Sequence, residues 1–139
     1  MSTLAIVGLG LAIVAAVVAV LVVIQRGTAA SARQAIADRV PAEAILFADE
    51  MANNFGVTSK GAAQLRGNGG LVLTREHLWF IPLVAMDELK IPRADIREVT
   101  SVRSHLGKTV GRPLLKVDWG TDSAAFYVKD VPGWIERLL

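Results

Sequence analysis

The sequence predicts one N-terminal transmembrane helix carrying a mainly β domain. About seven antiparallel strands form a partly open barrel in that domain, and one C-terminal helix closes it. Three observations lead there. Leu4–Ile24 is an unbroken apolar run; from Ala44 onward short apolar runs alternate with turn residues; and an apolar stripe follows Asp130 at the end of the chain. The chain is 139 residues long and 53% hydrophobic, with that excess concentrated at one end. A length of this order holds one domain and a short appendage.

Leu4–Ile24 contains no charged residue and no side-chain hydrogen-bonding group. As a helix it spans roughly 31 Å, about the hydrocarbon thickness of a bilayer. A helix satisfies every backbone group within the segment, as a lipid-facing element must. The remaining hundred or so residues are too few to surround such a helix in a soluble fold. The run also exceeds the roughly 7–15 apolar residues of a signal-peptide core, and no Lys or Arg precedes it, despite the small residues Ala29–Ala32. An uncleaved anchor, residues 1–24, is therefore expected. All 15 Lys and Arg lie after it, with Arg26, Arg33 and Arg39 close behind. By the positive-inside rule the N-terminus is outside and the C-terminal domain cytoplasmic, in the cell membrane. Gly8, Ala12 and Ala16 recur every four residues, a small-residue face suited to helix–helix packing.

Residues 25–42 read as a juxtamembrane helix or flexible stalk, with Ile36 and Val40 four apart and Pro41 ending it. The basic residues there are candidates for contact with anionic headgroups. Residues 43–139 form the domain. Its first extended stretch is Ala44–Val57, followed by a Gly-rich loop over Thr58–Gly70. Further strands are read at Leu71–Thr74, His77–Ile81, Ala85–Ile91, Ile96–Val102, Pro113–Trp119 and Ala124–Val128. Asp130 caps a short helix with Trp134, Ile135, Leu138 and Leu139 on its apolar side. Hairpin-spaced strands argue for an antiparallel sandwich or barrel rather than βαβ units.

The runs Gly70–Thr74, Leu78–Phe80 and Ile91–Val99, then Gly111–Val117, Ala125–Val128 and Trp134, occur in an order that resembles the bacterial PH-like and GRAM domains. The resemblance covers residues 43–139. It implies the partly open barrel with its end plugged by the helix, although that helix is shorter here than is usual in the family. The matching residues are core and turn residues, so they speak to fold and not to function.

No catalytic set stands out, so no enzyme activity and no cofactor are expected. With no Cys there is no disulfide framework and no thiolate zinc site. Gly107-Lys108-Thr109 matches the end of a phosphate-binding loop, but Val102 stands where that motif needs its first Gly. Gly67-Asn68-Gly69-Gly70 reads as a turn signal, since Gly and Asn tolerate positive φ. His77 and His105 fall in different elements and lack metal-ligand spacing. Asp87 and Glu88 are adjacent, which on a strand sends them to opposite faces. Trp79, Trp119 and Trp134 each sit in an apolar run and read as packing residues.

Net charge is +2, too small to imply nucleic-acid binding. Only Arg26, Arg33 and Arg39 of the 15 basic residues, and only Asp38 of the 13 acidic ones, precede Pro41, so the domain is formally neutral. Yet residues 51–75 and 101–117 contain no acid, and Arg103, Lys108 and Arg112 share the second stretch. These three are candidate contacts for anionic lipid or a partner. The family topology implies that the loops around Lys60 and Lys108 lie at opposite ends of the barrel, with Asp87, Glu88 and Asp122 near Lys60. That arrangement argues against a phosphoinositide pocket, which needs converging cations. The expected function is a non-catalytic, membrane-tethered interaction or scaffolding module. Its partner is another protein or a second copy of the chain. An anionic-lipid-sensing domain and an accessory subunit of a membrane transport complex are the alternatives.

Overall fold

The computed structural model describes residues 2–139. Helix α1 runs unbroken from Thr3 to Arg39, 37 residues and about 55 Å of helix. Seven antiparallel strands follow: β1 Phe47–Val57, β2 Gly67–Leu73, β3 His77–Pro82, β4 Leu89–Pro92, β5 Glu98–Val102, β6 Leu114–Asp118 and β7 Ser123–Tyr127. They form one open sheet in the order β4-β3-β2-β1-β7-β6-β5. Helix α2, Val131–Leu138, ends the chain.

The inner face of the curved sheet holds the main core. Leu71, Leu73, Leu78, Phe80, Leu115 and Phe126 are buried there, with Trp134 of α2 packed on the same cluster. The alternation of strands explains it, since every second residue points inward. Asp130 caps α2 as expected, its Oδ1 accepting from the Gly133 N–H at 3.0 Å. Trp134 and Leu138 are buried. Leu139 is instead 82% exposed, because the helix stops at Leu138 and the last residue has no face to pack on.

Two strand boundaries differ most from the expectation. The segment Gly67–Gly70 is strand and not turn, and none of its glycines has positive φ. These glycines serve close approach instead. A Cβ on Gly70 would stand 2.6 Å from Ile36 Cδ1 of α1, and one on Gly69 would strike the Ile81 carbonyl and the Phe80 ring. The expected strand Ala85–Ile91 shrinks to Leu89–Pro92. Met86 is drawn over the Gly67 backbone, and Asp87 and Glu88 turn to separate ion pairs, so the chain leaves the ladder there.

The stretch after the apolar segment is helix, not stalk. Ala32, Ile36 and Val40, spaced four apart, are all buried. Ile36 and Val40 pack with Val72 and Ile81 on the outer face of the sheet. Burying two such side chains stabilises the contact by about 1.5–3 kcal/mol each. Arg33 forms a two-pronged pair with Glu50 at 2.9 and 3.0 Å, and Arg39 pairs with Glu88 at 3.1 Å. Two of the three arginines that follow the apolar run are thus turned to the domain, away from the headgroup role expected for them.

Candidate functional site

The outer face of the sheet has two covers. α1 lies over β1, β2 and β3. Over the other half folds the loop between β5 and β6, residues 103–113. Beneath it Phe55, Leu114 and Ala125 are fully buried, with Val102 and Tyr127 beside them. The loop is a small hairpin in which His105 and Lys108 pair. Its two tip residues, Leu106 (φ 51°) and Gly107 (φ 75°), both take left-handed backbone, as the tight primed hairpin turns require. For leucine this conformation is costly, of order 1–3 kcal/mol, and persists only where packing compels it. Packing is present: Leu106 Cδ1 stands 3.2 Å from where a Gly56 Cβ would lie.

Three bonds pin the hairpin. His105 Nε2 lies 3.0 Å from the Gly56 carbonyl, to which the neutral ring donates. Lys108 Nζ donates to the Ala62 carbonyl at 3.0 Å. Arg112 Nη1 donates to the Tyr127 hydroxyl at 3.2 Å. Burial pushes the His105 pKa below the ordinary histidine value; the Gly56 bond opposes this, and nearby Lys116 and Lys108 add to it.

These contacts correct one expectation. The loops of Lys60 and Lys108 are not at opposite ends of the barrel: the hairpin tip rests on the segment Gly56–Ala62. The two acid-free stretches therefore meet. Arg103, Lys108 and Arg112 stand on one hairpin, and Arg66, its guanidinium 5.1 Å from the Phe55 ring centre, joins the same half of the outer face. Lys116 belongs here too, pointing outward between inward-facing Leu115 and Val117. Arg66 and Lys116 were missed as members of the group. The shared absence of acids in their two segments was the signal. Lys60 itself pairs with Asp87 at 3.0 Å, and Ser59 binds Asp122, so that corner is charge-compensated.

A second feature is a groove of about 530 Å³ between α2 and the adjoining ends of β5, β6 and β7. Pro113, Val128, Val131, Pro132 and Ile135 give it an apolar wall, and Arg112, Lys129 and Glu136 stand at its rim. β5 is the edge strand beside it, with one side of its backbone unpaired by the sheet.

Gly8, Ala12 and Ala16 are exposed on α1, as is every residue from Thr3 to Gly27. His77 begins β3 whereas His105 lies in the hairpin, and the structure does not bring them together. Asp87 and Glu88 act separately, the latter holding Arg39 and the Trp79 indole N–H. Trp134 is core, but Trp79 is half-exposed under Lys90. Among the described residues, no group of three or more His, Asp or Glu side chains is placed to hold a metal ion.

No protein-family model, curated protein or solved structure matches the chain. The class is therefore defined by its architecture: an open seven-stranded antiparallel sheet with a C-terminal helix, borne on one helix long and apolar enough to cross a membrane.

Proposed function

We propose that this chain is a membrane-tethered, PH-like interaction module, without catalytic activity, whose domain lies on the cytoplasmic face. The observation that carries the reading is α1. Its first part is apolar and exposed over the length of a bilayer, and its second part is packed on the sheet. A domain attached in this way has a high effective concentration at the membrane, so weak contacts suffice for recruitment. The groove beside α2 supplies the binding surface. Its apolar wall suits an extended or helical segment of another membrane-complex subunit. Arg112 and Lys129 suit an acidic side chain on that segment.

Copurification tests this. The tagged full chain, crosslinked in membranes and then solubilised, is expected to bring down a discrete partner. An Ile135→Glu variant, which puts a charge on the groove wall, is expected to lose it. Recovery of monomer alone from the wild type would reject the reading. Orientation is checked separately, and the absence of Cys makes the experiment clean. A Leu139→Cys variant should react with an impermeant maleimide only after the cells are opened; labelling of intact cells would place the domain outside.

A further inference from the structure

We propose that the basic half of the outer face is a membrane-contact pad. On it Val110 and the cations Arg66, Arg103, Lys108 and Arg112 rest on the anionic headgroups of the bilayer that α1 spans.

The argument begins with the path of the helix. Arg39 reaches Glu88, just before β4; Ile36 meets β2 and β3; Arg33 reaches Glu50 of β1. Traced toward the membrane, α1 thus crosses the sheet from β4 to β1. The next strands in that direction are β7, β6 and β5. Their outer face is the wall that turns toward the bilayer, and it is the wall covered by the hairpin.

Distance comes next. Ile24 ends the apolar run, and burial against the domain begins at Thr28 and Ala29. Four helical residues rise about 6 Å, close to the depth of one headgroup layer. The unbroken helix leaves no slack there. The domain is held with its near wall within a Debye length, about 8 Å, of the lipid charges.

Charge and exposure supply the third part. The two segments that meet on this wall carry cations and no acid; Glu98 and Asp118, the acids on the same strands, face each other across the far end of the β5–β6 pair. Val110, on the hairpin between Lys108 and Arg112, is 41% exposed. An exposed aliphatic residue flanked by Arg and Lys is a poor surface for bulk water and a good one for an anionic interface. Arg33 and Arg39 do not serve this purpose, being paired with Glu50 and Glu88.

The full chain, carrying Val110→Cys with a polarity-sensitive fluorophore, is reconstituted into two kinds of vesicle. One is phosphatidylcholine alone, the other equal parts phosphatidylcholine and phosphatidylglycerol. The probe should shift to the blue and escape aqueous acrylamide only in the anionic vesicles, and high salt should reverse both effects. Arg66→Gln and Arg103→Gln, both exposed and outside the groove, should each weaken the preference for anionic lipid roughly fivefold. A probe equally wetted in both vesicles overturns the pad, as does a shift that ignores salt or depends on protein density. The proposal rests on α1 spanning the bilayer. Extraction by alkaline carbonate would therefore reject the anchor, whereas retention with an unshifted probe rejects only the pad.

Discussion

The two halves of the outer face are closed by different means, and the difference separates what fixes this fold from what decorates it. Over β1–β3 the cover is a helix whose apolar stripe fits against Gly70, which leaves no room for a side chain. Ion pairs flank that stripe on both sides. Over β7–β5 the cover is a hairpin of eleven or so residues with a leucine in left-handed backbone, pinned by polar bonds to main-chain carbonyls. The first joins the domain to the apolar N-terminal part of α1 through packing. The second is a thin layer whose exposed side is basic. A close-packed cover resists local opening, whereas one held by a few polar bonds belongs to the low-stability end of a structure.

The comparison breaks most directly at Ile36. Replacing it with Ala leaves a cavity over Gly70, and large-to-small core changes of this kind cost about 2–5 kcal/mol. We expect the midpoint of chemical unfolding of the detergent-solubilised chain to fall accordingly. Amides of residues 28–40 should lose their hydrogen-exchange protection while the hairpin keeps its own. Equal loss in both regions would show that the two covers open as one.

His105→Ala is the reciprocal experiment and should be milder. It removes one bond to a buried carbonyl, worth about 1–3 kcal/mol when the carbonyl is left unpaired. Exchange should rise in residues 103–112 and around Gly56, with α1 untouched. A fall in protection along residues 28–40 would contradict the independence of the covers.

How far the sequence could be read follows the same division. The long apolar N-terminal helix, the strand number, the capping Asp130 and the closing helix were legible, because apolar patterning and turn chemistry are local signals. Docking of residues 28–40 was only half legible. The spacing of Ile36 and Val40 marked a helical stripe, but nothing in it named the surface that would receive it. The answer lay in Gly70, whose lack of a side chain matters only once Ile36 is placed beside it. The meeting of the two acid-free segments was likewise hidden, since Lys108 and Ala62 are 46 residues apart in the chain. Charge pattern alone grouped Arg103, Lys108 and Arg112; that Arg66 shares their half of the outer face required the fold.

Acidification should separate the covers without any substitution. The His105 pKa is lowered chiefly by burial. At low pH the unfolded chain therefore binds a proton that the folded chain resists. The stabilising contribution is whole above the ordinary histidine value, about 6.5, and is lost as pH falls below it toward the folded pKa. The Glu50 pKa is lowered by its hydrogen bond to Arg33 against the opposing effect of burial. Its contribution is present above the ordinary carboxylate range and lost only when pH falls through that range to the folded pKa. Hairpin amides should thus lose protection as pH falls below about 6.5, while those of α1, beside which only carboxylates titrate, keep theirs through that range. His105→Gln keeps an N–H donor and should abolish the first step alone. Simultaneous loss would mean that the histidine does not govern the hairpin.

The smallest expected effect is at the Arg33–Glu50 pair. Its two parallel bonds have good geometry, yet the arginine side chain is 68% exposed. Exposed pairs are screened by water and salt, and each partner gives up side-chain freedom to form them. Glu50→Gln should therefore leave the unfolding midpoint almost unchanged, with Ile36 and Val40 still holding the helix. What the pair supplies is direction. It stands where α1 crosses β1, so losing it should widen the orientations of the domain on its anchor, read as broader distances between spin labels at Leu46→Cys and Val22→Cys. A large fall in midpoint with unchanged distances would reverse the assignment and make the pair part of what holds the helix down.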